Sequence, residues 1–313
     1  MAVIPETGAR ARATDTSVGE RPVWYGHRLN RPSAYRLTAA LGAGLPRRLR
    51  LSLAAAIAPR LRTFFAAEWR VVVGNVARIV PTASADARHA LAIEVFRHFA
   101  MCFSDLVVTN RQPHPRAVLS RLHGHPHFEA AARPGRGFIV LTAHLGNWEL
   151  GGRLVAEAVA RPIHVLVEPE RDSRLEALIR GGPAPVRFVA RRHPTDVLGL
   201  VTALRRGEVV AMQGDRAIGT GGDRPLPFFG APACFPSGPF VLARATGAPI
   251  LPAFCLLDPD RRYSVHLRDP IVVGPDGEAL ALGRWVAVLE EMIRAYPEQW
   301  FNFFDCWSPS RGA

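Results

Sequence analysis

Lysine is absent: all 39 cations of the 313-residue chain are arginines, set against 27 carboxylates, which leaves a formal charge of +12. Guanidinium groups stay protonated at any relevant pH, so this charge cannot be titrated away. Cysteine is scarce and scattered. Cys102, Cys234, Cys255 and Cys306 form no CxxC pair, which argues against a disulfide framework or a zinc site and fits a reducing compartment. No apolar run reaches the roughly 18 residues of a membrane-spanning helix. The first residues carry neither a hydrophobic signal core nor a cleavage site, so secretion is not supported. A Gly-x-Ser-x-Gly elbow for a serine hydrolase is also missing. The basic charge is dispersed, without the interleaved aromatics of a nucleic-acid module, and no nucleic acid partner is expected.

What is present is 48% hydrophobic residues, enough for a sizeable core in one large α/β domain or two small ones. The cationic surplus calls for an anionic partner. Guanidinium pairs bidentately with phosphate, which suits phospholipid headgroups, phosphorylated glycolipids or an acidic carrier protein. A GC-rich genome would also explain arginine in place of lysine, but not the surplus itself. The apolar stretch 51–59 is boxed in by Arg47, Arg48, Arg50, Arg60 and Arg62. Two readings of it stand: a helix lying in a membrane interface with its arginines on anionic lipid, or a bundle helix packed on its own domain.

Along the chain, residues 1–22 are polar and unpatterned and read as a disordered leader. Residues 33–109 are helical in pattern, with breaks at 44–46, Pro59 and Pro81, giving three or four helices; the clearest covers 85–106. Its residues Ala90, Ile93, Phe96, Phe99, Ala100 and Phe103 recur near helical spacing and are expected in the core. After His123 short apolar runs alternate with helical segments, the pattern of a mostly parallel sheet covered by helices. Strands are expected at 137–142, 163–167, 186–189, 209–213, 249–255 and 263–267, and helices at 147–160, 173–180, 195–206, 238–245 and 279–296. The organisation is then a leader (1–22), a helical, membrane-associating portion (23–110) and an α/β core (111–313) that forms one catalytic unit with it.

The informative stretch runs from the apolar strand at 137–142 into His144-Leu145-Gly146-Asn147-Trp148-Glu149 and a helix. A histidine at the C-terminal end of a parallel strand occupies the edge where open α/β sheets place their ligand crevices. Glu149 lies one turn into the helix, where its carboxylate can orient the ring and stabilise the imidazolium formed when His144 takes a proton. A structural histidine, or a carboxylate placed only for the helix dipole, is the plainer alternative.

His144-x4-Glu149 resembles the signature of the bacterial lipid A biosynthesis acyltransferases, the lauroyl and myristoyl transferases of the wider lysophospholipid acyltransferase-like superfamily. Further blocks are similar to that family in order and spacing: Gly214-Asp215-Arg216, then 226–230, 235–239, the helix and strand at 242–252, and 296–300. The resemblance covers about 21–307. Phosphatidylinositol mannoside acyltransferases, and acyltransferases of aryl polyene lipids, have similar cores. The sequence departs from the lipid A enzymes in lacking a clear N-terminal membrane anchor and in reading Gly-Asp-Arg where many of them have Asp-Gln.

The resemblance implies a glycerolipid acyltransferase-like fold with an N-terminal helical portion, working peripherally at the cytoplasmic face of the bacterial inner membrane. It implies acyl carrier protein or coenzyme A thioesters as donors, a lipid or glycolipid hydroxyl as acceptor, and no metal or other cofactor. His144 would be the general base and Glu149 its orienting carboxylate. Backbone N–H groups over 145–147 are candidate oxyanion donors, and Asn147 joins the substrate-binding set. Arg180 stands where related transferases carry a substrate arginine; a solvated helix end is its alternative. Asp215 and Arg216 end a strand and face the same crevice, either for substrate or as a mutual salt bridge. Phe228 and Phe229 line an acyl channel or are simply core. A thioesterase using His144 to activate water stays open, as does a degenerate fold that only binds anionic lipid.

Overall fold

The computed structural model describes residues 32–110, 112, 115–133, 135–158, 161–167, 186–190, 196–217, 219, 221–274 and 277–307. The leader expected over 1–22, Arg180 and the helix expected over 173–180 lie outside them.

The amino-terminal part is helical: α1 (Pro32–Ala43), α2 (Arg47–Ile57), a 3-10 turn (Ala58–Thr63), α3 (Ala66–Ile79) and α4 (Ala85–Val107). The breaks follow local chemistry. Pro46 precedes α2, Pro59 sits in the 3-10 turn where its missing N–H costs nothing, and Ser84 caps α4 by accepting from the Ala87 N–H. The rest of the chain contributes β1 (Leu119–His123), α5 (His125–Ala131), β2 (Phe138–Thr142), α6 (Trp148–Ala158), β3 (Ile163–Val167) and β4 (Val186–Ala190). It continues with α7 (Asp196–Arg205), β5 (Val209–Gln213), β6 (Asp223–Phe228), β7 (Ala231–Pro236), α8 (Gly238–Thr246), β8 (Ile250–Leu257), β9 (Tyr263–Leu267) and α9 (Glu278–Ala295).

Seven strands form one sheet in the order β1-β9-β8-β2-β5-β3-β4. β8, β2, β5, β3 and β4 are mutually parallel; β9 runs antiparallel to β8, and β1 pairs parallel to β9 at the edge. The mostly parallel sheet flanked by helices is the expected architecture. Its central strands are buried on both faces, which is why they read as unbroken apolar runs. In β2 the side chains alternate: Ile139 and Leu141 pack with α7, α8 and α9 through Leu204, Phe240 and Trp285, whereas Phe138 and Val140 join the cluster that includes Leu150 and Leu154 of α6 and Val72, Val95 and Phe96 of the amino-terminal helices. The helical portion thus covers one face of the sheet. Each such fully buried side chain contributes about 1.5–3 kcal/mol of transfer free energy.

α2 is pinned to α4 by charge. Asp105, with no exposed surface, accepts from Arg47 (Nε, 3.1 Å; Nη2, 2.6 Å), Arg50 (Nη2, 2.9 Å), Thr109 (2.8 Å) and the Tyr263 hydroxyl (3.0 Å). A carboxylate can be buried this deeply because donors replace its water; removing one side of such a pair typically costs about 3–5 kcal/mol. The opposite face of α2 is open. Leu49, Leu53 and Ile57, one helical turn apart, are 47%, 43% and 52% exposed, and Phe64 just beyond is 82% exposed.

Candidate active site

Parallel register brings the reactive residues together. Thr142, the last residue of β2, pairs with Gln213, the last of β5, and two residues beyond each strand end stand His144 and Asp215. Gly214 N–H donates to Thr142 O (2.9 Å), which keeps the two chains together past the strand ends. There the carboxylate meets His144 twice: Oδ1 lies 2.8 Å from Nδ1 and Oδ2 accepts from the His144 backbone N–H at 2.9 Å. Both residues are buried.

The electrostatics set the tautomer. Burial pushes the Asp215 carboxyl up, but the His144 ring, its hydrogen bonds and Arg216 outweigh this and hold it down to about 2. An ionised carboxylate only accepts, so the ring proton sits on Nδ1 and the lone pair on Nε2, the nitrogen turned away from Asp215. Burial, and then the charge of Arg216, lower the His144 pKa against the opposing pull of Asp215. The imidazole is therefore neutral at pH 7, the form a general base needs.

Asp215, expected at the substrate or in a salt bridge with Arg216, bonds Nδ1 of His144. Glu149, expected as the orienting carboxylate, lies half-buried in the first turn of α6. Arg216 donates to Phe301 O (3.0 Å), and its guanidinium lies 5.0 Å from the centre of the Phe304 ring. Trp148 meets the His144 ring edge to face at 4.8 Å.

The loop is held from three sides. Phe301 N–H donates to His144 O (2.8 Å), Gly146 N–H to Gln299 O (2.9 Å) and Asn147 N–H to Cys255 O (2.7 Å). The amides of Gly146 and Asn147 are thus spent within the protein, which removes them from the set of expected oxyanion donors. The Asn147 side chain is likewise engaged: Oδ1 accepts from Leu150 N–H and Asn110 Nδ2, and Nδ2 donates to Asn110 Oδ1 and the Tyr263 hydroxyl. Asn147, a candidate substrate residue by sequence, thereby stands in the frame of the loop. Gly146 adopts a φ of +69°, and a Cβ there would come within 2.1 Å of Cys255 O, so only glycine fits.

Residues 299–307 form a strap along the loop. Gln299 bonds both backbone groups of Leu257 through its side chain (2.8 and 2.9 Å), and Asn75 of α3 donates to the carbonyls of Asn302 and Phe304. Phe228, 1% exposed, stacks on Trp307 and meets Trp300 edge to face, and Trp307 Nε1 donates to Phe228 O. Phe229 occupies the two-residue turn between β6 and β7 at φ +48°, held by Glu290 Oε1, which accepts its N–H, and covered by the Arg294 guanidinium. The two phenylalanines therefore differ: one is core beside the strap, the other tops a hairpin.

The model of one protein family, described as bacterial lipid A biosynthesis acyltransferase, matches residues 33–308. The chain is 25% identical over 230 residues to the lipid A biosynthesis palmitoleoyltransferase of Escherichia coli (strain K12), covering 72% of this chain and 74% of the relative. It is 24% identical over 291 residues to the lipid A biosynthesis lauroyltransferase of the same organism, covering 91% and 88%. To the phosphatidylinositol mannoside acyltransferase of Mycobacterium tuberculosis (strain ATCC 25618 / H37Rv) it is 25% identical over 242 residues, covering 74% and 75%. Because the match runs from the amino-terminal helices through the strap, the protein is an acyltransferase and belongs to the bacterial lipid A biosynthesis acyltransferase family.

Proposed function

We propose that the protein moves a fatty acyl group from an acyl carrier protein or coenzyme A thioester to a hydroxyl of a lipid or glycolipid, lipid A type by preference, with His144 as general base. The observation that carries this reading is the 2.8 Å bond between His144 Nδ1 and Asp215, which directs the lone pair of a neutral imidazole to Nε2. His144 takes the hydroxyl proton as the acceptor oxygen attacks the thioester carbonyl; the tetrahedral intermediate collapses with cleavage of the C–S bond, and the imidazolium returns the proton to the departing thiolate. Glu149, at the start of α6, supports the charge that forms on the ring. Arg216, beside the imidazole, suits an anionic group of donor or acceptor. Phe229 borders the acyl chain, with Phe228 packed behind it as core, and Arg180 completes the substrate set. No cofactor is required by this chemistry.

Lipid mass spectrometry of the host with and without the gene, joined to transfer assays with purified protein and both donor classes, tests the reading. An acylated glycolipid that vanishes with the gene and is rebuilt in vitro supports it. Thioester hydrolysis with no acyl-lipid product from any host lipid would instead favour the thioesterase.

No helix among the described residues is long and apolar enough to cross a membrane. We place the enzyme peripherally on the anionic cytoplasmic face of the inner membrane, seated through α2. Residues 32–67 contain six arginines and no carboxylate, and the exposed Leu49, Leu53, Ile57 and Phe64 share this segment with exposed Arg48, Arg60 and Arg62. Apolar side chains entering the acyl boundary beside cations on headgroups is the usual interfacial arrangement. Binding to phosphatidylglycerol vesicles is expected to weaken as salt rises and to fall by about 10-fold or more in Ile57→Asp, given about 1.5–3 kcal/mol for burying such a side chain. Flotation assays check both; unaltered binding in the variant would remove α2 from the membrane face.

A further inference from the structure

The Tyr263 hydroxyl stands between the Asp105 cluster and the His144 loop. It donates to Asp105 Oδ2 at 3.0 Å and accepts from Asn147 Nδ2 at 3.1 Å. On one side is the cluster of Arg47, Arg50, Ser104 and Thr109 around Asp105, which fastens α2 to α4. On the other is Asn147, whose own side chain accepts from Leu150 N–H and so fixes the first turn of α6 directly after His144-Leu145-Gly146. Tyr263 is the first residue of β9 and has no exposed surface. A phenolic hydroxyl there has to be partnered, and one that both donates to a carboxylate and accepts from an amide has a fixed orientation.

We propose that Tyr263 is a positioning residue for acyl transfer: through Asn147 it holds the His144 loop in register with the Asp105 cluster. The loop is secured by backbone bonds to Gln299, Phe301 and Cys255 and by the Asp215 carboxylate at His144. The Asn147 amide is the contact that fixes its inner side against the helical portion, through Tyr263 and through the reciprocal pair with Asn110 (3.0 and 3.2 Å). A general base displaced by a fraction of an ångström loses most of its advantage, because proton transfer requires the donor oxygen within about 2.6–3.2 Å. The inference rests on the reading of His144 as the base.

Tyr263→Phe cuts this link cleanly. Asp105 keeps both arginines and Thr109, Asn147 keeps Asn110, and the ring still fills its site, so folding is expected to survive. In the purified full-length chain, kcat for acyl transfer should fall about 10-fold or more with KM within about two-fold, measured well below the melting temperature, and the acid limb of the rate profile should move as the imidazole loses its fixed surroundings. A purely structural tyrosine would lower the melting temperature and leave kcat and the pH profile alone; a kcat within two-fold of wild type overturns the proposal. If Tyr263→Phe does not fold, Asn110→Ala, which releases the Asn147 amide from the other side, carries the same expectation and the same criterion. His144→Ala is run alongside. Should it retain wild-type activity, the base assignment fails; a dead His144→Ala with an unimpaired Tyr263→Phe leaves the base in place and removes only the positioning role.

Discussion

His144→Ala is expected to lower acyl transfer by at least about 10²-fold while leaving the fold intact, because a positioned general base contributes about 10²–10⁴-fold and Arg216 remains beside the Asp215 carboxylate. Asp215→Asn should be comparably damaging for a different reason. An asparagine placed on Nδ1 can offer an N–H instead of accepting one, which moves the ring proton to Nε2 and removes the lone pair that takes the acceptor's proton. A loss of about 10²–10⁴-fold follows from that tautomer change. Circular dichroism checks the fold of each variant; more than about a tenth of the wild-type rate in His144→Ala would end the base assignment. Glu149→Gln separates the two carboxylates. If Asp215 sets the ring, the acid limb of the profile shifts in Asp215→Asn and stays put in Glu149→Gln.

The pH dependence has a definite sign. His144 is held below its ordinary value by burial and by Arg216, so the rate should be level through neutrality and fall only below about 6.5. Stability follows the same direction. Asp215, at about 2 when folded against about 3.9 unfolded, contributes stability that is present above the unfolded value and lost as pH falls towards 2. The depressed histidine adds to this loss, since the unfolded chain binds its proton more readily.

The second large effect is expected at Gly146. Alanine there puts a Cβ within 2.1 Å of Cys255 O in a backbone conformation at φ +69°, and the obstacle is main chain that cannot rotate aside. The loop must leave β8, breaking the Asn147 N–H to Cys255 O bond, at a cost of more than about 3 kcal/mol. Thermal melts should drop by several degrees and activity should vanish even where the protein remains folded. An active, wild-type-stable Gly146→Ala would show that the loop is not seated on β8 in this way.

Much of the architecture was legible because its strands are short, apolar and bounded by turn residues: 163–167, 209–213 and 263–267 were read with the bounds the structure has. The hairpin at Asp223–Phe228 and Ala231–Pro236 was missed, since its prolines argue against strands that need ladder donors; as a separate two-stranded sheet it tolerates them. β1, Leu119–His123, was missed because an edge strand with exposed Arg121 and His123 shows no buried run. At the site, His144 and Glu149 were visible as a local motif. The bond from Asp215 was not, because it depends on the Thr142 to Gln213 register across 71 residues of sequence. Asp105 left a signal that went unused: it is a carboxylate set among the apolar residues of α4, a position that demands partners.

The strap has a consequence in time as well as in space. The ribosome delivers His144 and its loop well before Gln299 and Phe301, which lie about half the chain further on and whose backbone groups complete the loop's hydrogen bonds. Until they emerge, the loop lacks the backbone partners that the strap supplies to His144 and Gly146. The loop can therefore reach its full set of hydrogen bonds only after residues 299–301 have been added to the chain.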